Sequence, residues 1–205
     1  MYKTILIAVL TSLTFLISCS FGGDNNPGGP EVETQIMPLK IGNLWFYHSY
    51  QADNTDEITE IIMEITKDTV IEDQKWYYIP RNNITHLYYG YHESGIQAGY
   101  LQPDGSFDKE LYLRYPCNVG ENFSITESKY STVESINDTI TTKAGTYRCI
   151  KYSTYVKIQG EYIKYRDIYA SPELGPVKTV YFEKTENDST NSESVIIDLI
   201  SYKLE

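Results

Sequence analysis

The sequence predicts an all-β fold, which we expect to be an antiparallel curved sheet, a sandwich or an open barrel. Beyond the N-terminal region, apolar residues recur at every second position, and β-branched and aromatic types dominate. Tyrosine is abundant, with 20 residues against 6 Phe and 2 Trp. Turn-forming residues separate the short strands at regular intervals, which is typical of antiparallel sheets.

The predicted strands follow one another with turn residues between them. They span residues 44–50, 58–66, 76–79, 87–91, 111–115, 147–158, 162–169, 177–183 and 195–202. The intervening turns contain Asp53-Asn54, Glu72-Asp73-Gln74, Asn82-Asn83, Pro103-Asp104-Gly105 and Asn187-Asp188. These residue types either tolerate a left-handed backbone or fix φ, so they favour chain reversal.

The chain also contains an internal repeat. Residues 38–45 read PLKIGNLW and residues 116–123 read PCNVGENF, so both follow the pattern Pro-x-x-(Ile/Val)-Gly-x-x-aromatic. Two later blocks keep the same order, with DTV at 68–70 matching DTI at 138–140 and WYYI at 76–79 matching YRCI at 147–150. We interpret this order as two related β-meanders, at about 38–115 and 116–203, the alternative being chance similarity among strands of similar composition.

Residues 1–18 are predicted to be a signal peptide. Lys3 provides a positive charge, and the apolar run that follows is shorter than the ~20 residues of a membrane-spanning helix. Residues 16–19, LISC, resemble the lipobox of bacterial lipoproteins. This resemblance implies cleavage before Cys19 and lipidation of its thiol and new amine. The alternatives are an uncleaved anchor or an ordinary buried segment.

The predicted lipid anchor is followed by a tether and a single domain. Residues 19–35 are rich in Gly, Asn and Pro, which indicates a flexible segment that holds the domain ~20 Å from the lipid. Residues 36–205 are then expected to form one all-β domain. Ser20 stands where an Asp would favour retention in the inner membrane of enteric bacteria, so the outer membrane is the favoured location, with its face left open.

The charge of the chain excludes one class of partner. With 17 basic and 28 acidic residues, the formal net charge is −11, and a phosphate backbone would be repelled. Nucleic acid is therefore not expected to bind. Acidic pairs are spread along the chain, as expected of a solvated surface.

Catalytic and metal-binding motifs are not found in the sequence. There is no Gly-x-Ser-x-Gly elbow and no zinc-protease helix motif. His86 and His92 share a strand face, but a third ligand such as Glu93 would point to the other face, so we interpret them as exposed strand residues. We therefore predict no catalytic residues, no metal site and no cofactor.

Two cysteines remain in the predicted domain, Cys117 and Cys149. In an oxidising compartment a disulfide between them is our hypothesis. The alternative is two separate buried thiols that behave as small hydrophobic residues.

Tyrosines are the weak candidates for ligand binding, above all Tyr88, Tyr89 and Tyr91. Neighbouring tyrosines place rings on both faces of a strand. One face must serve the core, whereas the other presents an amphipathic aromatic surface of the kind that binds sugars, peptides or apolar ligands. The alternative is that these rings stabilise the sheet through cross-strand pairs.

Three motifs resemble those of a loose group of uncharacterised exported bacterial β-proteins. They are PLKIGNLWFY at 38–47, KAGTYRCIKY at 143–152 and YASPELGPVK at 169–178. The resemblance implies a secreted, mostly antiparallel sheet and no agreed activity. We therefore predict a membrane-anchored envelope lipoprotein with a non-catalytic binding domain whose partner is an envelope protein or a glycan. The alternatives are a structural scaffold or a hydrolase with an unrecognised site.

Overall fold

The computed structural model describes residues 35–80, 86–184 and 191–205, which all belong to one compact unit, Glu33–Glu205. Thirteen β-strands and no helix occur among these residues. The strands are β1 (Leu44–Gln51), β2 (Asn54–Glu64), β3 (Lys67–Ile71), β4 (Gln74–Pro80), β5 (His86–His92), β6 (Gly95–Leu101), β7 (Phe107–Arg114), β8 (Asn122–Thr126), β9 (Lys129–Thr142), β10 (Gly145–Ile158), β11 (Glu161–Ser171), β12 (Gly175–Lys184) and β13 (Asn191–Lys203).

The strands form two open antiparallel sheets that pack face to face. The larger sheet has the order β2-β1-β13-β12-β11-β10-β9-β8, and the smaller has the order β3-β4-β5-β6-β7. One apolar core lies between them, to which the larger sheet contributes Trp45 and Tyr152 and the smaller contributes Ile79 and Leu113. The predicted all-β antiparallel fold is confirmed, and among the proposed architectures it is the sandwich.

Four strands were not predicted, namely β3, β6, β8 and β9. β9 reads KYSTVESINDTITT, so its side chains are mostly Ser, Thr and charged residues that give little apolar alternation. β6 contains Gly95, Ala98 and Gly99, whose small side chains hide the period of two. In both strands, pairing with neighbours on each side outweighs weak intrinsic propensity.

The Pro-x-x-(Ile/Val)-Gly motif builds the same strand entry twice. In the first copy, Gly42 N donates to Ile65 O at 2.9 Å and Ile65 N donates to Asn43 O at 3.0 Å. In the second, Gly120 N donates to Val133 O at 2.8 Å and Val133 N donates to Glu121 O at 2.9 Å. Both glycines have positive φ, +93° and +85°, which side chains disfavour.

The aromatic residue that ends each motif is buried in the core, Trp45 in the first copy and Phe123 in the second. The two copies then diverge. In the first, the chain changes sheets after Ile65, because Thr66 N donates to Tyr78 O in the smaller sheet. In the second, β9 continues unbroken to Thr142 in the larger sheet. The same turn therefore precedes two different paths of the chain, one that crosses to the smaller sheet and one that continues in the larger sheet.

The N-terminal end of the described chain packs into the sandwich. Ile36, Met37 and Leu39 are buried, and Leu39 N donates to the hydroxyl of Tyr91 at 2.6 Å. The predicted signal peptide, Cys19, most of the tether, and the turns at Asn82-Asn83 and Asn187-Asp188 lie outside the described residues. Within the described ranges, no helix is long and apolar enough to cross a membrane.

Candidate ligand-binding cleft between the sheets

A cleft opens between the two sheets where the core gives way to solvent. The space within it is about 60 Å³, and it reaches about 570 Å³ only when the open solvent at its mouth is counted. The smaller sheet supplies Ile79, Tyr89 and Tyr112, and the larger sheet supplies side chains from β1, β2, β11, β12 and β13. Ligand sites in proteins are commonly clefts with a mostly apolar lining and a small number of polar groups.

Tyrosines form much of the wall of this cleft. Tyr89 on β5 and Tyr112 on β7 are stacked, with ring centroids 5.2 Å apart and an interplanar angle of 18°. They belong to strands that flank β6, where the residue paired with Tyr89 is Ala98. The small side chain of Ala98 leaves room for the two rings to approach. On the opposite sheet, the Tyr47 hydroxyl donates to Pro176 O at 3.0 Å, which fixes its ring in the wall.

Arg166 on β11 is the charged residue in the lining. Its neighbours two and four positions on, Ile168 and Ala170, are buried in the core, so period two places Arg166 on the core-facing side of the sheet. Its guanidinium carbon lies 5.5 Å from the centroid of the Tyr112 ring, a cation–π contact that joins the two sheets.

The guanidinium of Arg166 has hydrogen-bond partners in Thr154 and Tyr181, but one of its nitrogens has none. Nε donates to Thr154 Oγ1 over a long 3.4 Å, and that hydroxyl also lies 2.8 Å from Ser131 Oγ. Nη2 is buried and has no hydrogen-bond partner. Burial lowers the pKa of Arg166, but Tyr112 and Tyr181 outweigh that effect and the net pKa is raised, so the group is a cation at every physiological pH.

The three tyrosines singled out from the sequence are not brought together. Tyr89 lines the cleft, whereas Tyr91 holds the N-terminal segment through Leu39 N. Tyr88 lies on the other face of the smaller sheet, where it packs against Tyr78 and Phe107 at centroid distances of 5.1 and 5.7 Å.

That outer face carries its own aromatic cluster. Trp76 is buried there, with Phe107 in edge-to-face contact at 4.8 Å. Gly99 makes this packing feasible, because a Cβ at that position would lie 2.2 Å from Phe107 Cζ. The rings therefore fill the space above the glycines, and the cluster is a second small core.

The predicted disulfide is not present in the structure, which has Cys117 and Cys149 as free thiols. The reason is that each sulfur faces a different neighbour. Cys117 Sγ lies 3.9 Å from the Tyr152 hydroxyl, and Cys149 Sγ donates to Tyr147 O at 3.9 Å. Burial raises the pKa of the Cys149 thiol to about 12, with Asp138 adding to the rise. Cys149 is buried and Cys117 is half-buried, so the two are separate thiols, as in the alternative interpretation.

A more polar cavity lies on the far side of the larger sheet. Its lining includes His48, Tyr50, Lys143 and Asp198. The Tyr50 hydroxyl donates to Asp198 Oδ2 at 2.5 Å, and Oδ1 has no hydrogen-bond partner but forms an ion pair with Lys178 Nζ at 3.4 Å. Among the described residues, no group of three or more His, Cys, Asp and Glu side chains is arranged to hold a metal ion.

Arg166 was not identified as a functional residue from the sequence. The sequence signal that could identify it is a charged residue on the same strand face as apolar ones. Arg166, Ile168 and Ala170 occupy every second position of one strand and therefore share a face. The cleft itself could not be predicted, because its lining comes from eight strands of both sheets.

Comparisons with known proteins show similarity only at a distance. No protein-family model matches the chain, and no curated protein matches it. A crystal structure of a predicted lipoprotein from Parabacteroides distasonis ATCC 8503 aligns with a TM-score of 0.46 and 16% identity over 83% of this chain and 99% of that one. A predicted exported protein with a YmcC-like fold from Bacteroides fragilis NCTC 9343 aligns with a TM-score of 0.45 and 14% identity over 83% of this chain and 100% of that one.

Proposed function

We propose that this protein is a lipid-anchored component of the bacterial cell envelope whose β-sandwich binds a small amphipathic ligand without catalysing a reaction on it. The observation that carries the proposal is the cleft between the sheets, with its tyrosine walls and its single guanidinium. Tyrosine combines an apolar ring with a polar hydroxyl, so such walls suit a ligand with both kinds of surface.

The lining favours binding over the two alternatives. A hydrolase of the glycosidase type needs a pair of convergent carboxylates, one with a raised pKa. The cleft lining instead consists of apolar, tyrosine, threonine and arginine side chains, with no carboxylate among the described lining residues. A purely structural scaffold does not require a cleft, and filling it with larger side chains would increase the apolar surface buried on folding.

The proposed location rests on the N-terminal sequence. The LISC motif at 16–19 supplies the lipidation site at Cys19, and Ser20 favours the outer membrane. Two or more acyl chains on one residue make an anchor that hardly dissociates, because each buried methylene contributes ~0.8 kcal/mol. The partner is then an envelope component, either a protein or a glycan-bearing or lipid-derived molecule that reaches the cleft.

The binding function is tested by a substitution in the cleft lining. Ile61 lines the cleft and pairs with Tyr47 in its wall, so Ile61→Trp fills part of the cleft. Val70→Trp, at a position that is 68% exposed and outside the linings of both the cleft and the polar cavity, is the control. We expect saturable binding of an apolar fluorescent probe that Ile61→Trp weakens several-fold and Val70→Trp leaves unchanged. Absence of saturable binding by the unmodified chain would contradict the proposal.

The anchor is tested separately by fractionation of cells. Cys19→Ala should move the protein out of the membrane fraction and abolish incorporation of labelled palmitate. Cys117→Ala, which removes a thiol from the domain, should change neither result. Retention of the Cys19→Ala variant in the membrane with unchanged labelling would show that the lipid is attached elsewhere.

A further inference from the structure

Two buried side-chain polar atoms of the described residues lack a hydrogen-bond partner, Asp198 Oδ1, which has Lys178 Nζ at 3.4 Å, and the Nη2 nitrogen of Arg166. This nitrogen is buried, carries part of a positive charge, and has no hydrogen-bond partner. Buried polar atoms are almost always paired, since an unpaired one costs about 1–3 kcal/mol and more when the group is charged. An arginine kept in this state on the wall of a cleft indicates a partner that is bound from outside.

The neighbouring carboxylates are already engaged. Glu110 on the facing sheet accepts from Lys129 Nζ at 3.2 Å through both oxygens. Asp167, next to Arg166 in sequence, points to the opposite face of its strand, where Ser153 and Lys164 bind it at 2.6 and 2.8 Å. Among the described residues, no carboxylate lies within 4 Å of the Arg166 guanidinium.

The other residues of the cleft lining indicate the chemistry of the part of the ligand that does not contact Arg166. Ile61, Met63 and Ile197 present aliphatic surface, and the stacked Tyr89 and Tyr112 present ring surface. Arg166 is the charged member of the lining, so it can pair with one negative charge on a ligand. A second negative charge on the same ligand would remain unpaired. A planar carboxylate matches the guanidinium better than a doubly charged head group does.

We propose that the cleft binds an amphipathic carboxylate, an apolar chain that ends in a single carboxylate group, and that Arg166 binds this carboxylate through Nη2. The inference rests on the proposed binding function and adds the chemical class of the ligand. The apolar chain lies along the aliphatic and tyrosine walls, and the carboxylate displaces any water that solvates the guanidinium. The net charge of −11 on the whole chain makes this local cation the attractive element for an anion.

The experiment compares two probes of the same length, decanoate and neutral decan-1-ol, by titration calorimetry below their aggregation concentrations. The protein is the full mature chain with Cys19 replaced by Ser, secreted through a cleavable signal in place of residues 1–18, so that no acyl chain of its own competes. Dodecyl phosphate is a third probe that tests whether a phosphate head group is preferred. The variants are Arg166→Met, Arg166→Lys and, as a matched control, Arg148→Met at an exposed position on β10.

We expect decanoate to bind the unmodified protein more tightly than decan-1-ol, by roughly 10- to 100-fold, as a charge-assisted hydrogen bond implies. Arg166→Met should remove this preference, Arg166→Lys should restore part of it, and Arg148→Met should have no effect. Circular dichroism and the melting temperature of each variant establish that it is folded.

Two failures are distinguishable. If neither ten-carbon probe binds the unmodified protein, the binding function itself is wrong. If both bind equally well, or if Arg166→Met leaves the preference for decanoate intact, the cleft binds ligands but the role of Arg166 is wrong. Dodecyl phosphate has two more methylenes than decanoate, which contribute roughly 15-fold in affinity. Binding of dodecyl phosphate that is tighter than this and depends on Arg166 would overturn the carboxylate assignment and identify a phosphate head group instead.

Discussion

Arg166 and Tyr112 face each other across the space between the two sheets, with the guanidinium carbon 5.5 Å from the centroid of the ring. One residue belongs to β11 of the larger sheet and the other to β7 of the smaller sheet. Tyr112 is in turn stacked on Tyr89, so a single cation contacts an aromatic pair. This contact places charge at the point where the apolar core opens to solvent.

The cost of keeping Arg166 can be measured in the unliganded protein. Arg166→Met keeps the apolar stem and removes a buried, partly unpaired charge, so we expect the free energy of unfolding to rise by about 1 kcal/mol. Urea denaturation of the unmodified chain and the variant gives this difference. Arg148→Met, at an exposed position, should change stability by less than about 0.5 kcal/mol. A loss of more than about 2 kcal/mol in Arg166→Met would show that the arginine is structural.

The hairpin between β5 and β6 depends on Gly95. Its φ is +130°, and a Cβ there would lie 2.0 Å from Leu113 O and 2.7 Å from Tyr115 N, both backbone atoms that cannot move aside. Gly95→Ala is expected to cost about 3 kcal/mol or more, or to prevent folding. Gly105→Ala is the control, because its φ of +86° is also positive but no atom lies within 4 Å of the added Cβ. That change should cost only about 1 kcal/mol, and equal losses at both positions would contradict the steric argument.

The two strand entries should respond alike to the same substitution. Gly42 and Gly120 both have positive φ and make equivalent backbone hydrogen bonds. We expect Gly42→Ala and Gly120→Ala each to reduce the free energy of unfolding by about 1–2 kcal/mol. Chemical denaturation of the single and double variants tests this, since independent sites should be additive within about 0.5 kcal/mol. A large loss at one glycine and none at the other would mean that the two turns are not equivalent.

Alkaline pH should destabilise the domain through Cys149. Burial raises the pKa of this thiol to about 12 in the folded protein, against about 8.5 in an unfolded chain. The folded state therefore keeps the proton while the unfolded state loses it. The stability that depends on this thiol is complete below pH ~8.5 and declines as the pH rises towards 12.

The measurement is the slope of unfolding free energy against pH above ~8.5, compared between the unmodified chain and Cys149→Ala. The variant should have a shallower slope, and Cys117→Ala, which removes a half-buried thiol, a smaller change. Thiol titration at neutral pH should find both groups free once the chain is unfolded. Identical slopes in all three proteins would contradict the assignment to Cys149.

Much of the fold could be predicted because enrichment in aromatic and β-branched residues between turn signals is a local property. β1, β5 and β13 show this enrichment clearly, and the all-β class follows from it. β9 could not be predicted, because its many Ser and Thr side chains give no apolar pattern in the sequence. The strand is instead stabilised by pairing with β8 and β10 on either side. The division into two sheets depends on the hydrogen bond from Thr66 N to Tyr78 O, which directs the chain into the smaller sheet. No local sequence pattern specifies this long-range pairing.

Less of the candidate site could be predicted. Tyr89 was among the selected tyrosines and lies in the cleft, but Tyr88 and Tyr91 were selected by the same composition argument and serve packing. Amino-acid composition does not distinguish a tyrosine that lines a cleft from one that packs in the hydrophobic core. The cysteines show the same limit, because an even number of thiols says nothing about which way each sulfur points.

The docking of the N-terminal segment has a mechanical consequence. Glu173 N donates to Gln35 O at 2.7 Å, and Met37 packs against Gly175, one residue before Pro176 in the cleft wall. A chain that is pulled at its N-terminal end would load this hydrogen bond and the buried Met37 first. Tension on the proposed tether would therefore reach the start of β12, beside the cleft, before the rest of the sandwich.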